Sequence, residues 1–410
     1  MKVLHVLNGG IGGASLSTLD LIGGLVPYGV ESFIYCSSRV SREAQEELRR
    51  RSPVPVYFGP MYFWNKRDRK PLLERPLIEA YQLAHTGALY RSSSRLMELC
   101  RELGIDLIHS STALAPDGAL AAMRLGLPHV WHIREMIGKG QLHRLAGDTV
   151  GLAARRFQRS GYVVANSHSA FRGLFGRDSA QGASVIHNGF DFGRFAAIRE
   201  QPLEGDKIRF GLVANVSSTW KRHELFIRAA ALVAARLPRA ELSIFGEIPS
   251  ETSSAEAREY YQSLVALCQE LGLGERLSFR GYQDDVVQLM RSIDIVVHAA
   301  EFESFGRVFV EASAAGRGLV AVRGGASTEV IRDGETGLLV PPNEPEAMAA
   351  AMCELAQDPE RTRRMGAAAR QHVHEHFDIR RTCEKLAAIY GQQQRRPASG
   401  YVRSLARVMA

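Results

Sequence analysis

Two carboxylates eight residues apart, Glu303 and Glu311, are the side chains of this sequence best placed to do chemistry. A strand-like run at 294–298 precedes Glu303, residues 304–306 follow it, and a helix-like run at 307–315 contains Glu311. Glu303 is therefore expected in a loop at the carboxyl end of a strand, beside a helix N-terminus. Such an edge presents unpaired N–H groups and a partial positive charge, so we expect a polar, phosphorylated ligand between the two carboxylates.

Lys221 and Arg222 are cations that the pattern places at a similar edge. They lie between a predicted strand at 208–214 and a predicted helix at 223–236. Two cations there can neutralise a diphosphate as negative charge develops on it. The alternative is a pair of solvated surface cations, which is typical of many helix starts.

The run 8–14, with glycines at 9, 10, 12 and 13, follows the first predicted strand and precedes a helix. Glycine lets a backbone approach a ligand closely. Ser15 stands where the dinucleotide-binding fingerprint has its third glycine, and the second strand, 31–36, ends without an acid for a ribose. These departures disfavour NAD binding. A glycine-rich loop at the ligand site is the preferred interpretation, and a plain tight turn is the alternative.

Two further segments end predicted strands with residues that can touch a ligand. His132 ends the strand 129–132, where it can contact a sugar hydroxyl or a phosphate, and a hydrogen-bonded core histidine is the equal alternative. Gly324 and Gly325 follow the strand 318–322, where they can admit a ligand close to the backbone, and Glu329 can orient it.

Strand-like and helix-like segments alternate through the first half, and the pattern restarts near residue 208. The alternation predicts an α/β architecture of two doubly wound, Rossmann-like domains that face each other across a ligand-binding cleft. The stretch 197–207, with Pro202, Gly205 and five charged residues, is interpreted as the linker. We expect Ser15 to cap the first helix and the pair 284–285 to cap a later one.

The 410 residues are 45% hydrophobic and 23% charged, which is ordinary for a soluble globular protein of two to three domains. The five cysteines are scattered without a CxxC pair, which disfavours a disulfide framework or a zinc site and fits a reducing cytoplasm. The sequence has no run of eighteen apolar residues, so we expect no membrane-spanning helix. The N-terminal run 1–8 is too short for a signal peptide and is interpreted as a buried strand.

Positive charge is concentrated in the first half of the chain. Residues 1–204 carry 25 Lys and Arg against 18 Asp and Glu, whereas 205–410 carry 26 of each, so the first half holds the whole net charge of +7. Such an excess indicates an anionic partner, which could be membrane headgroups, a phosphorylated lipid or nucleic acid. The segment 62–70, which mixes aromatics and cations, fits a lipid headgroup, an acceptor or a nucleic acid, and the basic tail 391–410 fits a membrane surface. The alternatives are a charge that serves only solubility for the first half, a mobile loop for 62–70 and a frayed end for the tail.

Taken together, the motifs resemble those of the family-4 retaining glycosyltransferases, which have the GT-B fold. The resemblance spans residues 3–390 and is strongest in Glu303-Ser304-Phe305-Gly306 through Glu311, in Gly324-Gly325 and in the run 334–341. Their order and spacing are more specific than any single piece. The resemblance implies an N-terminal acceptor-binding domain at 1–200 and a nucleotide-sugar-binding domain at 201–378. It also implies that the segment 379–410 contains a helix crossing back to the first domain and a basic tail.

The resemblance implies roles for the matching residues. Glu311 is expected to hold the donor's ribose hydroxyls, and Glu303 is expected to face the donor sugar. Lys221 resembles the family's diphosphate-binding lysine and His132 the histidine that contacts the transferred sugar, so with Glu303 they form the expected catalytic set. The other expected donor contacts are the N-terminal loop glycines, the loop after the first strand of the second domain, the nucleobase segment and the residues beside Glu303: Gly12, Gly13, Asn215, Arg222, Arg280, Gly281, Tyr282, Ser304, Phe305, Gly306 and Arg307.

The implied activity is metal-independent transfer of a hexose-type sugar, with retention at the anomeric carbon, from a UDP- or GDP-sugar to a hydroxyl of a glycan or lipid-linked acceptor. The implied setting is bacterial surface polysaccharide or lipopolysaccharide assembly. We expect no cofactor, no metal and no nucleic acid. The expected location is cytoplasmic, at the inner face of the membrane and in peripheral contact with its anionic lipids.

One position departs from the family pattern, because Asn215 stands where a cation is usual. Arg222, or a different mode of donor binding, is the expected compensation. The alternatives to a transferase are a GT-B sugar-nucleotide epimerase, a phosphorylase, or a non-catalytic module that binds a sugar nucleotide or a lipid.

Overall fold

The computed structural model describes residues 1–10, 12–63, 75–137, 152–198, 207–217 and 219–395. Most of the segment 62–70, of the predicted linker 197–207 and of the tail 391–410 lies outside these ranges. The chain divides into two compact units. The first unit joins Met1–Phe190 to Ile379–Ala410, and the second is Asp191–Asp378. The chain thus changes unit after Phe190, ahead of the boundary predicted at residue 200.

The first unit is built on a sheet of seven parallel strands. They are β1 Lys2–Leu7, β2 Glu31–Ser37, β3 Val56–Gly59, β4 Leu107–Ser110, β5 His129–Ile133, β6 Tyr162–Ala165 and β7 Ala183–Val185. Their order in the sheet is β3-β2-β1-β4-β5-β6-β7. The helices between them are α1 Gly13–Leu25, α2 Arg42–Arg51, α3 Arg75–Leu103, α4 Asp117–Leu125, α5 Leu152–Ser160 and α6 His168–Phe175.

The second unit has a sheet of six parallel strands. They are β8 Ile208–Val213, β9 Ala240–Phe245, β10 Leu277–Phe279, β11 Ile295–His298, β12 Gly318–Val322 and β13 Leu338–Val340. Their order is β10-β9-β8-β11-β12-β13. The helices are α7 His223–Arg236, α8 Ala255–Glu270, α9 Val286–Arg291, α10 Arg307–Ala314, α11 Ser327–Val330, α12 Pro345–Gln357 and α13 Pro359–His376.

A last helix, α14 (Ile379–Gln394), belongs to the first unit. Its apolar face packs with α1 and with strands of the first sheet in one buried cluster, which includes Leu21, Leu25, Val130, Cys383, Leu386 and Tyr390. Burial of apolar area is what holds an amphipathic helix in place, at about 25 cal/mol per Å² of apolar surface removed from water. The first unit is therefore assembled from both ends of the chain.

The strand composition explains the layering of both units. Every residue of β4, β5, β11 and β12 is buried, which requires cover on both faces of each sheet, and helices supply it. This confirms the predicted α/β architecture with two Rossmann-like domains. All five cysteines are buried free thiols. No helix within the described ranges is long and apolar enough to cross a membrane.

The two predicted helix caps had different outcomes. Asp285 caps α9, because its Oδ1 accepts hydrogen bonds from the backbone N–H groups of Val287 and Gln288 at 2.8 and 3.1 Å. The Ser15 cap is wrong. α1 begins two residues earlier, with Gly12 as its N-cap, and the Ser15 hydroxyl donates to the Gly10 carbonyl at 2.7 Å. The serine therefore braces the glycine loop instead of capping the helix.

Candidate active site

The second sheet changes its winding direction between β8 and β11. From β8 the chain goes on to β9 on one side, whereas β11 and β12 lie on the other. Loops that leave the carboxyl ends of two such strands diverge, and open α/β sheets bind their ligands at this point. The loop after β8 carries Lys221, and the loop after β11 carries Glu303.

A salt bridge joins these two loops. Lys221 Nζ lies 2.6 Å from Glu303 Oε2, and the two side chains are 19% and 10% exposed. The same ammonium lies 3.8 Å from the centroid of the Trp220 ring, a cation–π contact. Charges this close and this poorly hydrated interact much more strongly than charges on the surface. Lys221 and Glu303, which the sequence placed in separate loops, thus form one ion pair.

His298, the last residue of β11, is the third member of this group. Its Nε2 lies 3.3 Å from Glu303 Oε2, and its ring packs edge-on against Phe309. Burial lowers the pKa of His298, although the neighbouring carboxylate acts in the opposite direction, so the imidazole is neutral near pH 7. Sequence reasoning assigned His298 no role. Its position at the carboxyl end of a buried strand, five residues before Glu303, was the available signal.

Glu303 remains ionised despite its burial. Burial alone would raise the pKa of this carboxyl, but the Lys221 ammonium and the His298 ring together hold the pKa well below its usual range. A carboxylate fixed in this way is a permanent negative charge at neutral pH. It is suited to orienting hydroxyl groups or to balancing positive charge, and not to giving up a proton.

The backbone of the Glu303 loop is fixed by Gly324 and Gly325, which follow β12. The Ala326 N–H donates to the Glu303 carbonyl at 2.8 Å, and a Cβ on Gly325 would lie 2.3 Å from the same oxygen. Gly325 also has a φ of +51°, which side chains disfavour. These glycines therefore admit the neighbouring loop. Contact of these glycines with a ligand stays a prediction.

Glu311 has a cation of its own. It lies in the second turn of α10, where its Oε1 is 3.3 Å from Arg307 Nη2. Both side chains are largely buried, at 12% and 10% exposed. Each carboxylate of the motif is thus paired with a different cation, Glu303 with Lys221 and Glu311 with Arg307. The two carboxylates therefore have separate counter-ions, and the arrangement does not resemble a coupled acid and base.

The residues between the two carboxylates mainly shape the loop. Gly306 precedes α10 with a φ of +77°, and a Cβ there would meet the Phe309 ring. Phe305 is buried, and its ring packs against Phe377. The side chain of Phe305 therefore belongs to the hydrophobic core. The half-buried Ser304 and the loop backbone remain the predicted donor contacts.

Asn215 and Arg222 contact other residues of the second unit and are not bonded to the Lys221–Glu303 pair in the hydrogen bonds and salt bridges of the described residues. The Asn215 amide oxygen accepts a hydrogen bond from the Glu247 N–H at 3.2 Å, which ties the loop after β8 to the loop after β9. Arg222 pairs with Glu224 and donates to Asn343 Oδ1 at 2.6 Å. Its backbone has a φ of +56°, in the left-handed region that favours glycine. Binding of a diphosphate by Arg222 stays a prediction.

The segment after β10 is held by its backbone. Arg280 N–H donates to the Ile244 carbonyl at 2.8 Å, and the Gly281 carbonyl accepts from Gly246 N–H at 3.0 Å. Tyr282 is 52% exposed. This segment lies at the same edge of the sheet as Lys221 and Glu303, because all the strands are parallel. A role in holding a nucleobase stays a prediction.

The first unit places its predicted residues at the corresponding edge of its own sheet. Gly12 at the end of the loop after β1 and Gly13 at the start of α1 are both exposed, and a Cβ on Gly12 would meet nothing within 4 Å. His132 lies on β5 and is fully buried. Its Nδ1 is 3.2 Å from His109 Nε2 and 3.4 Å from Arg134 Nη2. Among the described residues, protein groups contact Nδ1 of His132 and none bonds Nε2. His132 can therefore be a hydrogen-bonded core residue and still contact a ligand.

The low pKa of Glu303 predicts how the protein responds to acid. The folded state binds the proton of this carboxyl only at a pH well below the value of about 4.3 that applies to an unfolded chain. The stabilisation is therefore complete above that value, begins to be lost as the pH falls below it, and is gone only below the lowered pKa of the folded state. Urea unfolding at pH 6 and pH 3.5 should show a steeper loss of unfolding free energy in the wild type than in Glu303→Gln. Equal slopes would contradict the ionised, paired carboxylate.

Comparison with known proteins identifies the fold of the two parallel sheets. Solved structures with the same fold include HepE from Anabaena in complex with UDP and glucose, with a TM-score of 0.74 and 21% identity over 95% of this chain and 99% of that one. Sucrose-phosphate synthase from Thermosynechococcus elongatus gives a TM-score of 0.68 at 17% identity, over 96% and 98% of the two chains. The two parallel sheets and these neighbours define a protein of the GT-B fold.

Family models cover both halves of the chain. The model described as Glycosyltransferase Family 4 matches residues 11–194, and the model described as Glycosyl transferases group 1 matches 194–372. The D-inositol 3-phosphate glycosyltransferases of Rhodococcus jostii and Rhodococcus opacus are each 30% identical over 70% of this chain, which spans 66% and 67% of their own lengths. The chain belongs to family 4 of the GT-B glycosyltransferases.

Proposed function

We propose that this protein is a retaining, metal-independent glycosyltransferase that moves a hexose-type sugar from a nucleoside diphosphate sugar to a hydroxyl acceptor. The observation that carries the proposal is the buried Lys221–Glu303 pair at the point where the second sheet changes its winding direction. Lys221 offers positive charge to a diphosphate, and the second carboxylate, Glu311, lies on the adjoining helix for the ribose. UDP is the first nucleotide to test, because HepE is described in complex with UDP.

In the proposed reaction the bond between the anomeric carbon and the diphosphate oxygen breaks while the acceptor oxygen adds to the same face. Lys221 stabilises the negative charge on the departing oxygen, which takes up the proton of the acceptor hydroxyl. Glu303 balances the positive charge that develops on the sugar ring and holds its hydroxyls. Electrostatic stabilisation and positioning then supply the rate enhancement, and both need groups that are fixed before the substrate arrives.

Two chemical classes of acceptor are candidates. The excess of positive charge in residues 1–204 supports a lipid-linked glycan and peripheral contact with an anionic membrane, as in surface polysaccharide assembly. The relatives named D-inositol 3-phosphate glycosyltransferases support a soluble, phosphorylated polyol instead. Transfer assays with both acceptors, and co-sedimentation with anionic vesicles at low and high salt, separate the two.

UDP is expected to raise the melting temperature of the wild type. At a hundredfold excess over Kd, a ligand stabilises the fold by about 2.7 kcal/mol, which corresponds to a shift of about 3 °C for a chain of this size. Glu311→Gln should lose most of that shift, because the amide replaces the charged partner proposed for the ribose hydroxyls. If Glu311 holds the 2′-hydroxyl, 2′-deoxy-UDP should stabilise the wild type as weakly as UDP stabilises the variant.

Glu346→Gln is the matched control, because Glu346 is exposed in the first turn of α12. It should keep the full shift. A wild type that is not stabilised by any UDP- or GDP-sugar, and that neither transfers nor hydrolyses one, would refute the proposed function. Equal shifts in the wild type and Glu311→Gln would refute the ribose assignment alone.

A further inference from the structure

A chain of hydrogen bonds runs through the interior of the first unit and ends at His132. The Tyr390 hydroxyl of α14 is bonded to His109 Nδ1, and His109 Nε2 lies 3.2 Å from His132 Nδ1. Arg134 Nη2 lies 3.4 Å from the same His132 nitrogen, and Arg134 Nη1 donates to Asn188 Oδ1. All five side chains are at most 6% exposed. The chain thus connects the C-terminal helix to β4 and β5.

The donor types fix where the protons are. Arginine can only donate, so His132 Nδ1 must accept and carries no proton. His109 Nε2, which faces the same atom, must then be an N–H. The opposite nitrogen of His109, Nδ1, is therefore an acceptor, and the Tyr390 hydroxyl donates to it. The reversed order, in which His132 Nδ1 donates to His109 and His109 Nδ1 donates to the Tyr390 hydroxyl, would set the His132 N–H against the Arg134 guanidinium at 3.4 Å.

This assignment leaves His132 with its proton on Nε2. Burial, together with the nearby Arg134 cation, holds the pKa of His132 well below its usual range, so the ring is neutral near pH 7. Its Nε2 is buried and has no hydrogen-bond partner among the described residues. A buried N–H without a partner is costly and rare in native proteins. An oxygen of a bound substrate would satisfy it.

We propose that Tyr390, His109 and Arg134 are positioning residues that hold His132 as a neutral hydrogen-bond donor, whose Nε2–H binds an oxygen of the sugar substrate. The inference rests on the proposed function, because it takes the ligand to be a sugar. It assigns His132 no role as a base. It also gives α14 a role besides packing, because the Tyr390 hydroxyl donates to His109 Nδ1 and so stabilises the His109 tautomer that the Arg134 contact requires.

Imidazole ¹⁵N NMR on the full-length protein reads the proton positions directly. The His132 signals, identified by their loss in His132→Gln, should be those of a neutral ring protonated at Nε2.

Tyr390→Phe removes the hydroxyl that donates to His109, so the His109 signals should change to a mixture of tautomers. In the same variant kcat should fall about tenfold, while the donor KM changes less than twofold. Tyr35→Phe is the matched control. Tyr35 is equally buried in the same unit and donates to the Pro60 carbonyl, outside the chain of histidines, so it should leave both readouts unchanged.

Two substitutions at His132 provide a second test that does not depend on Tyr390. The amide N–H of glutamine reaches the position of Nε2, whereas that of asparagine reaches only the position of Nδ1. His132→Gln should therefore retain at least tenfold more transfer activity than His132→Asn. A His132 proton on Nδ1, or an asparagine variant as active as the glutamine variant, would overturn the inference. Failure of the wild type to bind or use any nucleotide sugar would overturn the proposed function, and the NMR result would still decide the proton order.

Discussion

Replacing Glu303 by glutamine is expected to lower kcat about 10²–10³-fold, the range measured when one fixed electrostatic group is removed from a transition state. The amide keeps the size of the side chain and can still accept a hydrogen bond from Lys221. It removes the negative charge that balances the developing charge on the sugar. UDP affinity should stay within about twofold, because the proposed diphosphate and ribose contacts, Lys221 and Glu311, are intact.

Steady-state kinetics with a UDP-sugar and calorimetric titration of UDP measure the two quantities separately. Glu301→Gln is the matched control, since it makes the same chemical change two residues earlier in the same loop. It should retain nearly full turnover. A Glu303→Gln enzyme with wild-type kcat would remove Glu303 from the catalytic set, and a large loss of UDP affinity would reassign it to donor binding.

The second large effect is expected for Lys221→Met. Loss of the ammonium should weaken UDP binding tenfold or more and lower kcat/KM by a factor on the order of 10³, because the proposed partner of the leaving diphosphate is gone. The same change leaves the buried Glu303 carboxylate without its counter-ion. Breaking a buried pair costs about 3–5 kcal/mol, and we expect the lower end because Lys221 is 19% exposed.

The double variant Lys221→Met, Glu303→Gln separates stability from catalysis. Removing both charges should recover most of the lost unfolding free energy, while transfer stays as low as in the worse single variant. Lys207→Met is the control, because the Lys207–Glu241 pair of the same unit is 65% and 42% exposed and should contribute little. Additive stability losses in the double variant would mean that the two charges do not stabilise one another.

The sequence predicted the architecture because periodicity and burial are local properties. Buried parallel strands appear as short apolar runs, and helices between them alternate on a 3.6-residue period, so both Rossmann-like units followed from the pattern. The order of the motifs around Glu303 and Glu311 likewise gave the family. Helix ends were less certain, as Ser15 illustrates, because several neighbouring residues can serve as a cap and only the loop conformation selects one.

The partners of the site residues required the tertiary structure. Lys221 and Glu303 are 82 residues apart, and only the sheet order brings their loops together. The same is true of Gly325, whose missing Cβ makes room for the Glu303 carbonyl, and of Tyr390, which reaches His109 from the other end of the chain. The sequence by itself determined which residue types stand at the strand ends. Which of those charges neutralise each other was decided by packing, because Coulomb and hydrogen-bond energies depend on distances and burial that spacing along the chain does not contain.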